Sequence, residues 1–249
     1  MNYFKLSALT VILPCAFTSA LTQAETLSLG ASVLYAQSPY RGGQDRYLPI
    51  PIINYEGDSF WFRSLQGGYY LWKDQQDQLS LTLVGSPQKY DPKDNDHSDM
   101  KALDKRRMTL MAGATYRHTA EWGVVRTALL GDVLNNSNGI IWDLTWLYPV
   151  KLGQLTLTPG IGALWSSANQ NRYYFGVSDH ESTRTGINSY DPDDSWNPYV
   201  ELNASYQLST QWNATVSGRY TRLSSEVKDS PMVDRDDQVS VWTGISYSF

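Results

Sequence analysis

Proton-transfer catalysis most often uses a histidine beside a nucleophile, and this 249-residue chain holds only three. His97 and His180 lie in polar stretches, and His118 closes the run Tyr116-Arg117-His118-Thr119. None has a serine partner signalled by local spacing. The acidic runs Asp91-Pro92-Lys93-Asp94-Asn95-Asp96-His97-Ser98-Asp99 and Tyr190-Asp191-Pro192-Asp193-Asp194 carry the carboxylates that calcium favours. The first fails as an EF-hand loop, because Asp99 stands where glycine is required and no glutamate closes the loop. Gly160-Ile161-Gly162 lies inside an alternating stretch with no helix after it, so it does not cradle phosphate. The residues therefore predict no catalytic group, no cofactor and no metal.

What would have to position any site is a set of strands. Seventeen Tyr, nine Trp and eighteen Gly with 18% charged residues form a strand-rich, interface-seeking composition. Mean hydropathy is −0.40, yet the walls of a transmembrane barrel alternate lipid-facing with lumen-facing residues and average to such values. The carboxyl end shows the alternation: Val239, Val241, Ile245, Tyr247 and Phe249 share one face, with Trp242 on the other. Val241, Ile245, Tyr247 and Phe249 also make the pattern expected of a C-terminal barrel-assembly signal. Upstream, Ile140, Trp142, Leu144, Trp146 and Tyr148 form an outward set. So do Leu155, Leu157, Pro159, Ile161, Ala163 and Trp165, and then Trp196, Val200, Leu202, Ala204, Tyr206 and Leu208. A soluble sandwich also alternates, but aromatic strand ends and a terminal Phe favour the barrel.

Short breaks at 56–58, 74–77, 119–122, 151–154 and 209–211 alternate with long ones at 36–46, 91–104, 166–195 and 223–237, as expected of short periplasmic turns and long outer loops. The alternation holds throughout only if residues 59–72 make two strands turning at Gln66-Gly67-Gly68. This predicts an all-β antiparallel barrel of about twelve strands, or ten without the split. Inward positions carry Arg107, Arg117, Arg126, Asp132, Asp143, Glu201 and Arg219. Glu201 and Arg219 face the same way on consecutive strands, which predicts a narrow, ion-paired lumen. The loop 166–195 is long enough to fold into the mouth as a lid or plug.

Residues 1–24 read as a cleaved signal peptide: Lys5, an apolar stretch from Leu6 to Phe17, and Thr22-Gln23-Ala24 before the cut. The barrel domain would then be 25–249. Losing this segment removes Cys15, the only cysteine, and with it thiol and disulfide chemistry. It also removes Lys5, leaving nineteen basic and twenty-five acidic residues, a formal charge of −6, which argues against a nucleic-acid partner. Outer-membrane lipid and lipopolysaccharide are the expected surroundings.

Six ordered blocks then resemble the MltA-interacting protein / OmpV family of outer-membrane proteins, over about Leu27 to Phe249. They are residues 54–63 (NYEGDSFWFR), 67–72 (GGYYLW), 131–139 (GDVLNNSNG), 157–162 (LTPGIG), 173–177 (YYFGV) and 229–234 (DSPMVD). The resemblance implies a nonenzymatic adaptor that holds a lytic transglycosylase together with a murein synthase. It supplies no catalytic motif. The competing expectation, a passive or gated pore for small solutes, rests on the charged lumen and the 166–195 loop.

Overall fold

A computed structural model describes residues 26–249; the predicted signal segment and its cleavage after Ala24 lie outside the described residues. The strands are β1 (Thr26–Ala36), β2 (Arg46–Glu56), β3 (Phe60–Arg63), β4 (Gln66–Lys73), β5 (Asp77–Ser86), β6 (Thr109–Ala120) and β7 (Gly123–Asp132). They continue as β8 (Ile140–Leu147), β9 (Val150–Leu152), β10 (Leu155–Ser166), β11 (Ser195–Gln207), β12 (Trp212–Arg222) and β13 (Asp237–Ser248). Each pairs antiparallel with its chain neighbours except β8 and β9, which pair with β10 and not with each other, and β13 closes on β1 from Ser28↔Ser248 to Ala36↔Ser240. Because β8 and β9 both pair with β10 across a break at Tyr148-Pro149, they form one wall strand, and the barrel has twelve.

Alternation builds the wall. On β8, Ile140, Trp142, Leu144 and Trp146 are exposed while Ile141, Asp143, Thr145 and Leu147 are buried. The same holds on β11, where Trp196, Val200 and Leu202 point out and Asn197, Tyr199, Glu201 and Asn203 point in. In water so many exposed large apolar side chains would drive aggregation; facing hydrocarbon, they are the solvated surface. Among the described residues no helix is long and apolar enough to cross a membrane; the wall that they form is made of strands. Closure pairs every strand and leaves no free sheet edge to lipid except beside β3.

Residues 59–72 do split into two strands, but the turn is at Ser64-Leu65, two residues before the expected Gln66-Gly67-Gly68. Ser64 adopts φ 53 there, so a non-glycine residue takes the left-handed position while Gly67 and Gly68 stay within β4. β3 is only four residues long, far below the roughly 9–11 residues of a full spanning strand.

The periplasmic turns are a few residues each, whereas 37–45, 87–108, 167–194 and 223–236 rise on the opposite side. These long connections hold four short helices: α1 (Ser98–Lys101), α2 (Ala168–Phe175), α3 (Asp179–Thr185) and α4 (Ser225–Lys228). They pack on one another. Tyr40, Tyr90, Met100, Leu103, Tyr174, Phe175, Val177, Ile187, Leu223, Val227, Met232 and Val233 form a buried cluster above the barrel. The protein therefore has two interiors: a polar lumen inside the wall and an apolar core inside a cap.

Candidate functional site

Four of the inward charges meet at mid-barrel. Glu201 on β11 stands directly across from Arg219 on β12 and accepts from its Nη2 at 2.6 Å and its Nε at 3.1 Å. Arg126 on β7 lies 3.8 Å from Glu201 and 3.9 Å from Asp143 on β8, and Arg219 lies 3.9 Å from Asp143. Tyr199 donates its hydroxyl to Asp143 Oδ2 at 2.9 Å, Thr145 donates to Asp143 Oδ1 at 2.9 Å, and the Arg219 guanidinium stacks over the Tyr199 ring at 3.9 Å. None of the four charged residues is more than 8% exposed. Charges removed from water to this degree are tolerable only when countered and hydrogen-bonded, and two arginines with two carboxylates sum to zero. The Tyr199 ring reaches the wall because Gly162 has no side chain; a Cβ there would collide with the ring and with the Leu144 carbonyl.

The quartet divides the lumen. On one side is a hollow lined by Trp61, Gln66, Tyr70, Val84, Leu130 and Arg126; on the other is one lined by Asn171, Phe175, Asn197, Tyr199, Arg219 and Leu223. At the periplasmic end Glu56 accepts from Arg63 at 2.9 Å, Lys73 at 2.8 Å and the Tyr70 hydroxyl at 2.7 Å. Salt bridges of this kind restrain the side chains that a through-path would have to displace.

The cap is pinned to the barrel by a second buried pair. Glu181 accepts from Arg106 Nη2 at 2.8 Å, from the Asp104 N–H at 2.9 Å and from Ser178 through its N–H at 3.1 Å and its hydroxyl at 3.0 Å. Ser178 in turn caps α3, completing a reciprocal capping box. Burial alone would raise the Glu181 carboxyl, but the two backbone N–H groups and the Arg106 guanidinium outweigh it and hold the pKa below the ordinary value. The Asp91 and Asp99 carboxyls in the neighbouring loop are also depressed: burial opposes, and Lys105 at the first and the Met100 N–H and Arg41 at the second prevail. A depressed carboxylate stabilises the fold fully above its unfolded pKa and loses that contribution as pH falls through the folded value. The cap is therefore expected to loosen below about pH 4 and to stay closed above it. Pepsin cleavage within 166–195 that rises between about pH 4 and about pH 2 more steeply than cleavage of the same segment as a free peptide, with no change in the barrel's resistance to denaturation by detergent on a gel, would check this.

The acidic loops are accounted for by cations of the chain itself. Asp94 pairs with Arg46 at 3.1 Å, Asp91 with Lys105 at 2.8 Å, Asp99 with Arg41, and Asp191 with Arg172 at 2.5 Å. Among the described residues no group of three or more His, Cys, Asp or Glu could hold a metal ion.

The remaining candidate residues scatter. Arg117 lines the lower hollow. Asp132 ends β7 at the rim, where it accepts from the Leu134, Ser137 and Asn138 N–H groups at 2.9, 2.6 and 3.1 Å and shapes the 133–139 turn. Arg107 is not in the lumen: it is exposed, and the buried arginine beside it, Arg106, lies in the cap against Glu181. Strand pairing of β6 begins only at Thr109, so the two-residue alternation does not extend back to 107. Ile245 and Phe249 are exposed on the outer face, and Tyr247 packs edge-on between Trp212 and Phe249.

Two pairings escaped the sequence. Arg106 and Glu181 are 75 residues apart, yet Ser178-Asp179-His180-Glu181 carries the S-x-x-E spacing of a capping box and could have announced α3. Asp77 and His118 face each other across β5 and β6, with His118 Nδ1 2.7 Å from Asp77 Oδ1. This Asp–His pair lies on the outer face at the periplasmic rim beside Trp122 and Tyr116, and no serine hydroxyl joins it among the described residues' hydrogen bonds.

A closed twelve-strand antiparallel wall, an apolar outer belt and a lumen crossed by ion pairs define an outer-membrane β-barrel. Within that class, the chain belongs to the family of MltA-interacting protein MipA, whose model matches residues 29–249. It is 50% identical to the MltA-interacting protein of Escherichia coli K12 over 250 residues, covering all of both chains. It is 41% identical to the putative outer membrane protein YiaT of the same strain over 94% of each chain. Similarity extends to the outer membrane protein OmpV of Vibrio cholerae, at 31% identity over 69% of this chain and 65% of that one. Among solved structures, the COG4313 outer membrane channel of Pseudomonas putida F1 shares the fold, with a TM-score of 0.50 at 10% identity, over 95% of this chain and all of that one. The protein resides in the outer membrane.

Proposed function

We propose that the chain is a non-catalytic scaffold of the outer membrane that holds a lytic transglycosylase close to a murein synthase, with residues 1–24 removed on export and the barrel beginning at Glu25. The observation that carries this reading is the double obstruction of the lumen: the Arg126/Asp143/Glu201/Arg219 quartet below and the cap above. A barrel so filled works through its outer surface rather than its bore. Half-identity over the full length to a protein named for interaction with MltA supports the partner class. The surface available on the periplasmic side consists of short turns and rim aromatics, among them Phe60, Trp72, Trp122 and Phe249, all exposed. A partner would meet a ring of aromatic side chains rather than a deep groove.

Purified barrel in nanodiscs is expected to co-elute with a purified lytic transglycosylase and to leave planar bilayers silent. Discrete channel steps at neutral pH from the intact protein, without co-elution, would replace the scaffold by the pore. Neither barrel nor complex should change lipid composition when His97, His118 and His180 are all replaced by alanine; a changed profile would return the Asp77–His118 pair to the list of catalytic candidates.

A further inference from the structure

The wall is incomplete beside β2. β3 pairs with β2 only at Asn54, Tyr55 and Glu56, and the hairpin turns back at Ser64-Leu65. β2 continues upward to Arg46, paired with β1 along its whole length on one side. On its other side, over residues 46–52, no strand is paired among the described residues. The result is a notch in the wall, running roughly 15 Å along β2 over residues 48–52 at the usual rise per residue and closed above, where Arg46 pairs with Asp94 of the 87–108 connection at 3.1 Å. The turn at Ser64-Leu65 is its sill.

The sequence of β2 is built for such an edge. The Ser64 N–H donates to the Ile53 carbonyl at 2.9 Å, so the odd-numbered residues of β2 direct their backbone groups toward the notch. Those residues are Tyr47, Pro49 and Pro51, and two of the three have no N–H. An unmet N–H facing hydrocarbon costs several kcal/mol, and proline removes the donor. Proline also prevents a further strand from pairing there, which rules out a partner's β-strand as the occupant.

The surroundings fix what can enter. Pro49, Pro51, Ile53, Leu65 and Leu83 are exposed around the opening, so the notch is continuous with the lipid-facing belt. Immediately inside the sill is the hollow, where Trp61, Val84 and Leu130 make an apolar patch set among polar side chains that include Thr82, Arg117 and Arg126. At Pro49 and Pro51 a hydrocarbon chain lying against the belt meets carbonyls but no N–H that would demand a partner, and beyond the sill it finds the apolar patch of the hollow.

We infer that this notch is a lateral portal through which the hydrocarbon chain of a membrane amphiphile enters the hollow between β3 and β7. The site is separate from the periplasmic rim, so its failure would leave the scaffold reading intact.

The test uses palmitic acid bearing a diazirine near the chain end, added to the full barrel in nanodiscs, with labelled residues mapped by mass spectrometry. Labelling is expected at inward positions such as Trp61, Gln66 and Val84 as well as at the outward Leu81 and Leu83, and excess unlabelled palmitate should suppress only the inward set. Ala128→Trp, which fills the hollow from the opposite wall, should abolish inward labelling and leave outward labelling unchanged. A second variant lengthens the β3–β4 hairpin by six residues on each strand, roughly 20 Å of added strand, and carries Pro49→Val and Pro51→Val, so that the notch is sealed by pairing; it should have the same effect without touching the hollow. Retention of the heat-modifiable gel shift certifies that each variant is folded. Labelling confined to Leu81, Leu83 and other outward residues in the unaltered protein would overturn the portal, and so would inward labelling that survives the sealed hairpin.

Discussion

Replacing Glu201 by alanine is expected to destabilise the barrel by about 3–5 kcal/mol, the usual cost of leaving a buried charge without its counterion. Arg219 would lose both of its short contacts to carboxylate, at 2.6 and 3.1 Å, and Arg126 would lose the Glu201 carboxylate at 3.8 Å while keeping the Thr145 hydroxyl at 3.0 Å and Asp143 at 3.9 Å. The quartet would then hold two guanidinium groups against one carboxylate. The companion variant removes the excess charge as well: Glu201→Gln with Arg219→Met leaves Arg126 facing Asp143, one cation for one anion. It should recover most of the loss, because deleting both partners of a buried pair is commonly neutral. Urea unfolding of the barrel in lipid vesicles, followed by tryptophan fluorescence, reads both numbers. A single variant within about 1 kcal/mol of the parent, the ordinary worth of an exposed pair, would mean that water fills the lumen at the quartet and screens it.

The quartet also marks how far a sequence speaks about such a fold. In a strand the side-chain period is two, so facing follows from parity once one residue is placed. That is why Arg126, Asp143, Glu201 and Arg219 could be assigned to the interior before any register was known, and why Trp142, Leu144 and Trp146 could be assigned to lipid. Parity fails where the strand does. Arg107 precedes the first paired residue of β6 and lies outside. The β3–β4 turn came two residues early because Ser64 accepts a left-handed φ that glycine would have advertised. The notch was written in the sequence as Pro49-Ile50-Pro51, two prolines in an otherwise central-looking strand, which is a signature of an edge. The cap was least legible. Its core is assembled from residues of four loops, Tyr40, Tyr90, Tyr174 and Met232 among them, and no local period links side chains so distant in the chain.

That cap should behave as a unit that can fail without the barrel, and Tyr174→Ala is the change expected to show it. Tyr174 is fully buried, packs edge-on against Tyr173 at 4.8 Å, and donates its hydroxyl to the Arg107 carbonyl at 3.0 Å. Its own carbonyl accepts from the Tyr40 hydroxyl at 3.2 Å, so α2 is tied to the β1–β2 loop and to the start of β6 through one residue. Truncating a buried aromatic to alanine costs about 3–5 kcal/mol. The cap has few other apolar contacts to spread that loss, because its core comprises only short helices and loop residues. The wall, by contrast, is held by continuous antiparallel pairing from β1 round to β13, to which Tyr174 contributes nothing. The expected outcome is therefore cleavage within 176–194 by protease added to intact cells, at neutral pH where the parent resists, while the barrel keeps its gel shift and its urea midpoint. If the midpoint falls together with protease resistance, cap and wall form one cooperative unit, and the Arg106–Glu181 pair, which joins the residues before β6 to α3, is the strut that couples them.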